Sequence, residues 1–374
     1  MKNDRHHHDS RTVRPALLAV STLVAAAALG GTAGPAAAHG FHGHKHQGRH
    51  EAGVELARLY DGLLAVEGTN ADDRIALRLQ AGNPAILQVD LGDDGSAEFS
   101  IPRAGVERLS LDGGNGDDSL RIDEGNGVFT DTIPTTIDGG NGNDRIVGGA
   151  GAITLQGGNG DDTLIGGSGV ETLIGGNGDD SIDGNKGNDV ALMGNGNDTF
   201  VWDPGDGSDT VEGQNGTDTM LFNGADASER VVLSANGGRL RFFRDPGAVT
   251  MDTDDVEVVE FKAFGGADSV TVDDLAATDV RDVKIDLAGA GGGGDGQPDG
   301  VVVDGTDGND RIDVSGDAGA VKVSGLAATV ELLQPEGADR LDVNTLAGTD
   351  AVDTRGLDLG AIQLFVDGSA LPKQ

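Results

Sequence analysis

The sequence predicts an all-β chain, a parallel solenoid with degenerate, wider β coils on both flanks. Between Gly139 and Leu221 a nine-residue unit, G-G-x-G-x-D-x-U-x with U a large apolar residue, recurs nine times with one two-residue interruption at Trp202-Asp203. Within it Ile146, Leu155, Leu164, Leu173 and Ile182 stand nine residues apart, most with an acid two residues before them. Aromatic residues make up only 3% of the chain and 64 of its 374 residues are Gly, so a narrow core of stacked Leu, Ile and Val fits better than a broad globular one.

From the N-terminus, residues 1–38 are expected to be an export signal. Arg11 and Arg14 precede an apolar run, Leu17 to Leu29, and Ala36-Ala37-Ala38 supply a small-residue cleavage site. That run is short and Ala-rich, and no other stretch approaches a spanning length, which argues against membrane insertion. Residues 39–55 form a linker with five of the eight histidines. Its imidazoles suit Zn2+, Ni2+ or Cu2+, although a solvated tract without fixed geometry is the simpler reading.

Residues 56–138 alternate strand-like runs such as Ala85 to Leu91 with turn signals, and they include one complete repeat, Gly113 to Arg121. A helical turn is expected around Glu55 to Leu64. The array occupies 139–221. A degenerate solenoid follows over 222–288, where Arg239 to Phe243 and Val256 to Phe261 alternate in strand fashion. Residues 289–298 read as a flexible Gly-rich loop, and 299–374 as a further β region. The flanks are expected to be wider coils, mostly without ions, with separate small β domains as the alternative. One long-range echo supports continuity: Glu67 to Ile75 (EGTNADDRI) has a near twin in Asp304 to Ile312 (DGTDGNDRI).

The chemistry of the unit follows from its residue types. Gly at positions one, two and four lets the backbone turn tightly, so that successive carbonyl oxygens can face one concave space. Gly140 and Gly142, Gly158 and Gly160, Gly176 and Gly178, and also Gly187 and Gly196, hold the second or fourth place. A carboxylate at position six closes the cage, and a set of hard oxygens suits Ca2+ rather than Zn2+ or copper. The remaining three residues are short and extended, so two units make one coil of turn, strand, turn, strand, with coils stacked about 4.8 Å apart. Gly-Asn-Asp-rich sequence also makes flexible linkers. A linker, however, has no reason to keep strict phase.

The array resembles the RTX (repeats-in-toxin, hemolysin-type) calcium-binding repeat. The resemblance implies a parallel β-roll in which each ion sits between the turn of one repeat and the turn one coil above. It implies that Asp144, Asp162, Asp180 and Asp198, eighteen residues apart, stack along one edge. The opposite edge takes Ile153, Glu171 and Asp189; it is damaged at its start, because Ile153 cannot ligate and Glu171 is one methylene too long. Asp209 and Asp218 join if the interruption is bulged out, and Asp118 belongs to the complete upstream copy. About three to five ions are expected. Members of this family from Gram-negative bacteria usually leave through an exporter that reads an uncleaved C-terminal signal, a habit from which an N-terminal signal departs.

The charge carries the reading further. With 63 acidic against 26 basic residues the net charge is −37, which excludes nucleic acid and anionic lipid as partners. Stacked carboxylates repel by about 1 kcal/mol per pair even in bulk water, which opposes the coil until divalent cations fill it. Without a single Cys, no disulfide framework holds an exported chain, and metal is the substitute staple.

No enzyme is expected. Gly289, Gly291 and Gly294 match G-x-G-x-x-G formally, yet any glycine run does so and no helix follows. Every histidine precedes Glu51, so the β-rich body lacks an imidazole base and a thiol nucleophile. A calcium-dependent polysaccharide lyase would need a free Arg, with Arg239, Arg241 and Arg244 as candidates, but one Trp and one Tyr supply few sugar platforms. The expected function is that of an exported calcium-binding protein that is loose in the low-calcium cytoplasm and folds on binding outside. The alternative is a calcium-rigidified adhesion module for extracellular polysaccharide or protein.

Overall fold

In the computed structural model residues 57–371 are described, and two long sheets of 16 and 15 strands face each other across a narrow apolar seam. The export signal and the whole His-rich linker lie outside the described residues. Within the array the first sheet runs through Thr135–Asn141, Ile153–Asn159, Thr172–Asn177, Val190–Gly196 and Thr210–Gly216. The second runs through Arg145–Val147, Thr163–Ile165, Ser181–Asp183, Thr199–Trp202 and Thr219–Asn223. All these neighbours are parallel and in register: Leu155 pairs with Leu173 and Leu164 with Ile182, so an eighteen-residue period puts like upon like. Each repeat turns its U residue inward, and Leu155, Leu164, Leu173 and Ile182 are completely buried.

The two-residue interruption does not break the register. Val190 pairs with Thr210, twenty residues on, and the surplus is absorbed in the turn after Trp202. There Asp203 donates its N–H to Asp206 and the Trp202 indole donates to the Gly207 carbonyl at 2.9 Å. Trp202 then stacks on Phe222, centroids 3.9 Å apart, and Phe222 meets Phe242 and Phe261. The aromatic residues thus fill the seam where the regular repeats end.

The solenoid continues on both sides. Thr135–Asn141 pairs in parallel with Arg108–Asn115, which pairs with Leu63–Glu67; at the other end Thr219–Asn223 pairs with Val258–Lys262 and that strand with Asp282–Asp286. The upstream copy is therefore isolated in sequence but not in space. The extra width of the flanking coils comes from antiparallel meanders, in which three strands stand where the array has one. Arg230–Asn236, Arg239–Asp245 and Val249–Asp254 form one in the first sheet, and Arg311–Gly316, Ala320–Ser324 and Thr329–Leu333 form another in the second.

One expectation needs correction. Among the described residues no helix forms up to Leu64: Ala57–Tyr60 and Leu63–Glu67 make an antiparallel hairpin. Its turn, Asp61-Gly62, has positive φ at both residues (46° and 73°), the conformation that tight hairpins demand. The Gly-rich loop is tied to the next coil. Its amides at Gly293 and Gly296 donate to Gln334 and Glu336 of the next coil, at 3.0 and 2.8 Å.

Candidate metal centre

From Asp73 to Glu257 each turn from first sheet to second ends on an acid, and parallel stacking places these acids in one file. Asp73 donates its backbone N–H to Asp118 Oδ1 at 2.7 Å. The same bond recurs from Asp118 to Asp144, Asp144 to Asp162, Asp162 to Asp180, Asp180 to Asp198 and Asp198 to Asp218, at 2.7 to 2.9 Å, and Asp218 ends the file on Glu257. Asp144, Asp162, Asp180 and Asp198 thus share an edge, Asp118 stands ahead of them and Asp218 after. Asp73 and Glu257 extend the file beyond the sequence-derived set.

One oxygen of each carboxylate is used in this way; the other is not. Of ten buried polar side-chain atoms without a hydrogen-bond partner among the described residues, nine are Oδ2 atoms of turn aspartates, the tenth being Thr253 Oγ1. Six lie on this edge, on Asp118, Asp144, Asp162, Asp180, Asp198 and Asp218. A buried carboxylate oxygen facing no donor is costly unless a cation completes it. Backbone oxygens stand nearby: a Cβ placed on Gly157 would meet both Asp162 Oδ2 and, at 2.7 Å, the Gly175 carbonyl of the next coil. This oxygen-only donor set, two coils deep, fits Ca2+.

The acidity of the file agrees with its geometry. Burial, reinforced by neighbouring aspartates and opposed by the amide from the coil before, pushes Asp118, Asp180 and Asp218 up to about 7 and Asp144 and Asp162 up to about 6. Asp198 is raised for the same first reason.

The glycines permit the close approach. Gly140, Gly142, Gly158, Gly160, Gly176, Gly178, Gly187 and Gly196 all have φ between 105° and 148°. At Gly158 a Cβ would also drive into the Gly140 carbonyl of the coil before, whereas at Gly205, with a similar φ of 119°, nothing lies within 4 Å. Gly205→Ala is expected to cost about 1–3 kcal/mol through conformation alone, and Gly158→Ala distinctly more. Thermal melts in Ca2+ measure the difference; equal costs would mean that the coils are less closely stacked than described.

The opposite edge is shorter. Glu171 donates its N–H to Asp189 Oδ1 at 2.7 Å and Asp189 donates to Asp209 Oδ1 at 2.8 Å, and both aspartates keep an unpartnered Oδ2. Burial pushes Asp209 up to about 7 and raises Glu171 and Asp189 as a pair. Glu171 differs from its neighbours. Its two oxygens accept from the amides of Gly167 and Gly169 in its own turn, at 3.2 and 3.1 Å, because the extra methylene folds the carboxylate back. Gly187 lies in the turn that leads to Asp189.

Ile153 is buried in the seam, and the turn that precedes it is held by Glu124 instead. Glu124 accepts from Phe129, Thr130 and Ala150 at 2.7 to 3.0 Å. Burial alone would raise its pKa, but these donors outweigh it and hold it below the usual range. Sequence reasoning missed Glu124, because nothing in its spacing marks it.

The twin phrases show how such a turn closes without an ion. Asp73 Oδ2 accepts from the Thr69 amide at 2.6 Å and from its hydroxyl at 2.9 Å; Asp310 accepts from the Thr306 amide at 2.7 Å and its hydroxyl at 2.8 Å. Thr stands where complete repeats have their second Gly. This internal donor distinguishes the two turns from those whose acid keeps a buried, unpartnered oxygen.

The profile of one protein family, described as the RTX calcium-binding nonapeptide repeat, matches residues 138–170, 165–200 and 205–226, with four copies. No curated protein is detectably similar to the chain. The matched stretches coincide with the regular coils, so this part of the chain is an RTX repeat array of β-roll architecture, and its repeats are of the calcium-binding class.

Proposed function

We propose that this chain is an exported, non-enzymatic protein whose repeat turns bind Ca2+ outside the cytoplasm and fold as they do so. The observation that carries the reading is the row of buried aspartate Oδ2 atoms without donors, of which all but that of Asp268 lie in the repeat turns. Export is supported by residues 1–38, where basic residues, an apolar run and a small-residue end follow one another. Outside the cytoplasm, affinities of about 0.1–1 mM suffice for modules of this kind.

The absence of catalysis is supported by the fate of the three arginines that a lyase would draw on. Arg239 is held by Glu212, Asp252 and Asp254, Arg244 is buried against Glu229, and Arg241 lies over the Phe243 ring. The aromatic side chains Trp202, Phe222, Phe242 and Phe261 are fully buried in the seam, where no glycan reaches them.

Circular dichroism of the chain, titrated with Ca2+ and separately with Mg2+, tests the proposal. A cooperative gain of β signal with Ca2+ alone is expected, because ion binding and coil stacking are one event. A β spectrum indifferent to Ca2+ would mean that apolar stacking alone holds the solenoid.

A further inference from the structure

We propose a further divalent-cation site outside the repeats, on the second edge of the distal solenoid, built around Asp268 and Asp299. It uses the same chemistry as the proposed function but none of the same residues.

Four turns stack there because Arg230–Asn236, Ser269–Val272, Gly300–Asp304 and Arg340–Asn344 are consecutive parallel partners. The residue that closes each turn is acidic: Glu229, Asp268, Asp299, Asp339. Their separations of 39, 31 and 40 residues hide any period in the sequence. In space they repeat the array's bond: Glu229 donates its N–H to Asp268 Oδ1 at 2.7 Å, Asp268 to Asp299 Oδ1 at 2.8 Å, and Asp299 to Asp339 Oδ1 at 3.1 Å. Each of the four is at most 4% exposed.

The two ends of this file are closed by the protein itself. Glu229 takes the Arg244 guanidinium, from Nε at 2.7 Å and from Nη2, and Asp339 Oδ2 takes the Glu336 amide at 2.6 Å. The middle is not closed. Asp268 Oδ2 is buried without any donor, the one such carboxylate oxygen outside the repeats among the described residues. More negative charge converges on the same turn. Asp295, from the Gly-rich loop, accepts the Gly266 amide at 2.9 Å, and Asp226 Oδ1 lies 2.5 Å from where a Cβ on Gly265 would sit. Asp268, Asp299 and Asp295 thus bring carboxylates together around one buried oxygen that no group of the protein satisfies.

The chemistry favours the cation. One proton satisfies one oxygen and leaves the remaining charges facing each other, whereas an oxygen-seeking divalent ion bridges several carboxylates at once. One turn before, the Arg244 guanidinium neutralises Glu229.

The test is a count of bound 45Ca2+ by equilibrium dialysis on the full chain, for the wild type, Asp268→Asn and Asp162→Asn. Asn keeps the Oδ1 acceptor for the Glu229 amide while removing the charge, and circular dichroism establishes that the fold persists. Asp299→Asn replaces the first variant if it does not fold. Asp268→Asn is expected to bind one ion fewer than the wild type. An unchanged count in folded Asp268→Asn overturns the proposal and leaves a protonated Asp268. If Asp162→Asn loses an ion and Asp268→Asn does not, the repeat reading stands and this one falls. The converse result would keep this site and remove the array's.

Discussion

Raising Ca2+ from a chelated solution to about 10 mM is expected to stabilise the chain by about 4–14 kcal/mol. The figure comes from mass action: a site with affinity of about 0.1–1 mM contributes about 1.4–2.7 kcal/mol at that concentration, and about three to five sites are expected. It is comparable with the whole stability of an ordinary domain, about 5–15 kcal/mol, which is why loading and folding of the array are treated as one event. For a chain of this size it corresponds to about 6–20 °C in melting temperature. Mg2+ demands a near-octahedral shell at shorter distance and dehydrates reluctantly, so it should move the midpoint little. Scanning calorimetry in chelator, Ca2+ and Mg2+ measures all three. Identical midpoints in chelator and Ca2+ would sink the role of the aspartate file.

Asp162→Asn gives the same effect a local address. The amide oxygen still accepts the Asp144 N–H, so the coil retains its ladder bond, but the oxygen left without a donor is replaced by an NH2 group. The variant should therefore resemble the wild type in chelator and fall below it in Ca2+.

The array was legible because strict phase makes three facts coincide. Gly allows the turn, the acid two residues before an apolar residue faces the cage, and an eighteen-residue period stacks each acid on the next. From these alone, the edge shared by Asp144, Asp162, Asp180 and Asp198 follows. The distal file was not legible, since Glu229, Asp268, Asp299 and Asp339 are separated by meanders and loops of unequal length; only strand pairing brings them together. Glu124 was hidden for the same reason. The Asp61-Gly62 hairpin, by contrast, is readable in the sequence. An Asp-Gly pair between two apolar runs outweighs weak helical spacing. At Thr69 and Thr306 one hydroxyl in place of a second Gly decides whether a turn acid is satisfied from within, a distinction the period alone does not carry.

Without Ca2+, stability should fall as pH rises, opposite to the usual acid denaturation. Asp118, Asp180, Asp209 and Asp218 are pushed up to about 7, and Asp144 and Asp162 to about 6, from an ordinary value of 3.8. Between about pH 4 and 7 the folded chain therefore binds more protons than the unfolded one. Stability is then highest below the unfolded value and is lost as pH climbs through the folded values. Each group contributes at most about 1.4 kcal/mol per pH unit, and less where solvent and salt screen the turns. Groups shifted the other way, such as Glu124 and Asp93, are too few to reverse the sign. Saturating Ca2+ does reverse it. The ion requires the carboxylates ionised, so protons compete with it and the loaded chain loses stability as pH falls. Melts at pH 5 and pH 7.5, each in chelator and in Ca2+, should cross: the chelated protein melts higher at pH 5, the loaded one at pH 7.5. Parallel pH dependence in the two conditions would show that protons and Ca2+ do not share these oxygens, and the aspartate file would then be a structural ladder without an ion.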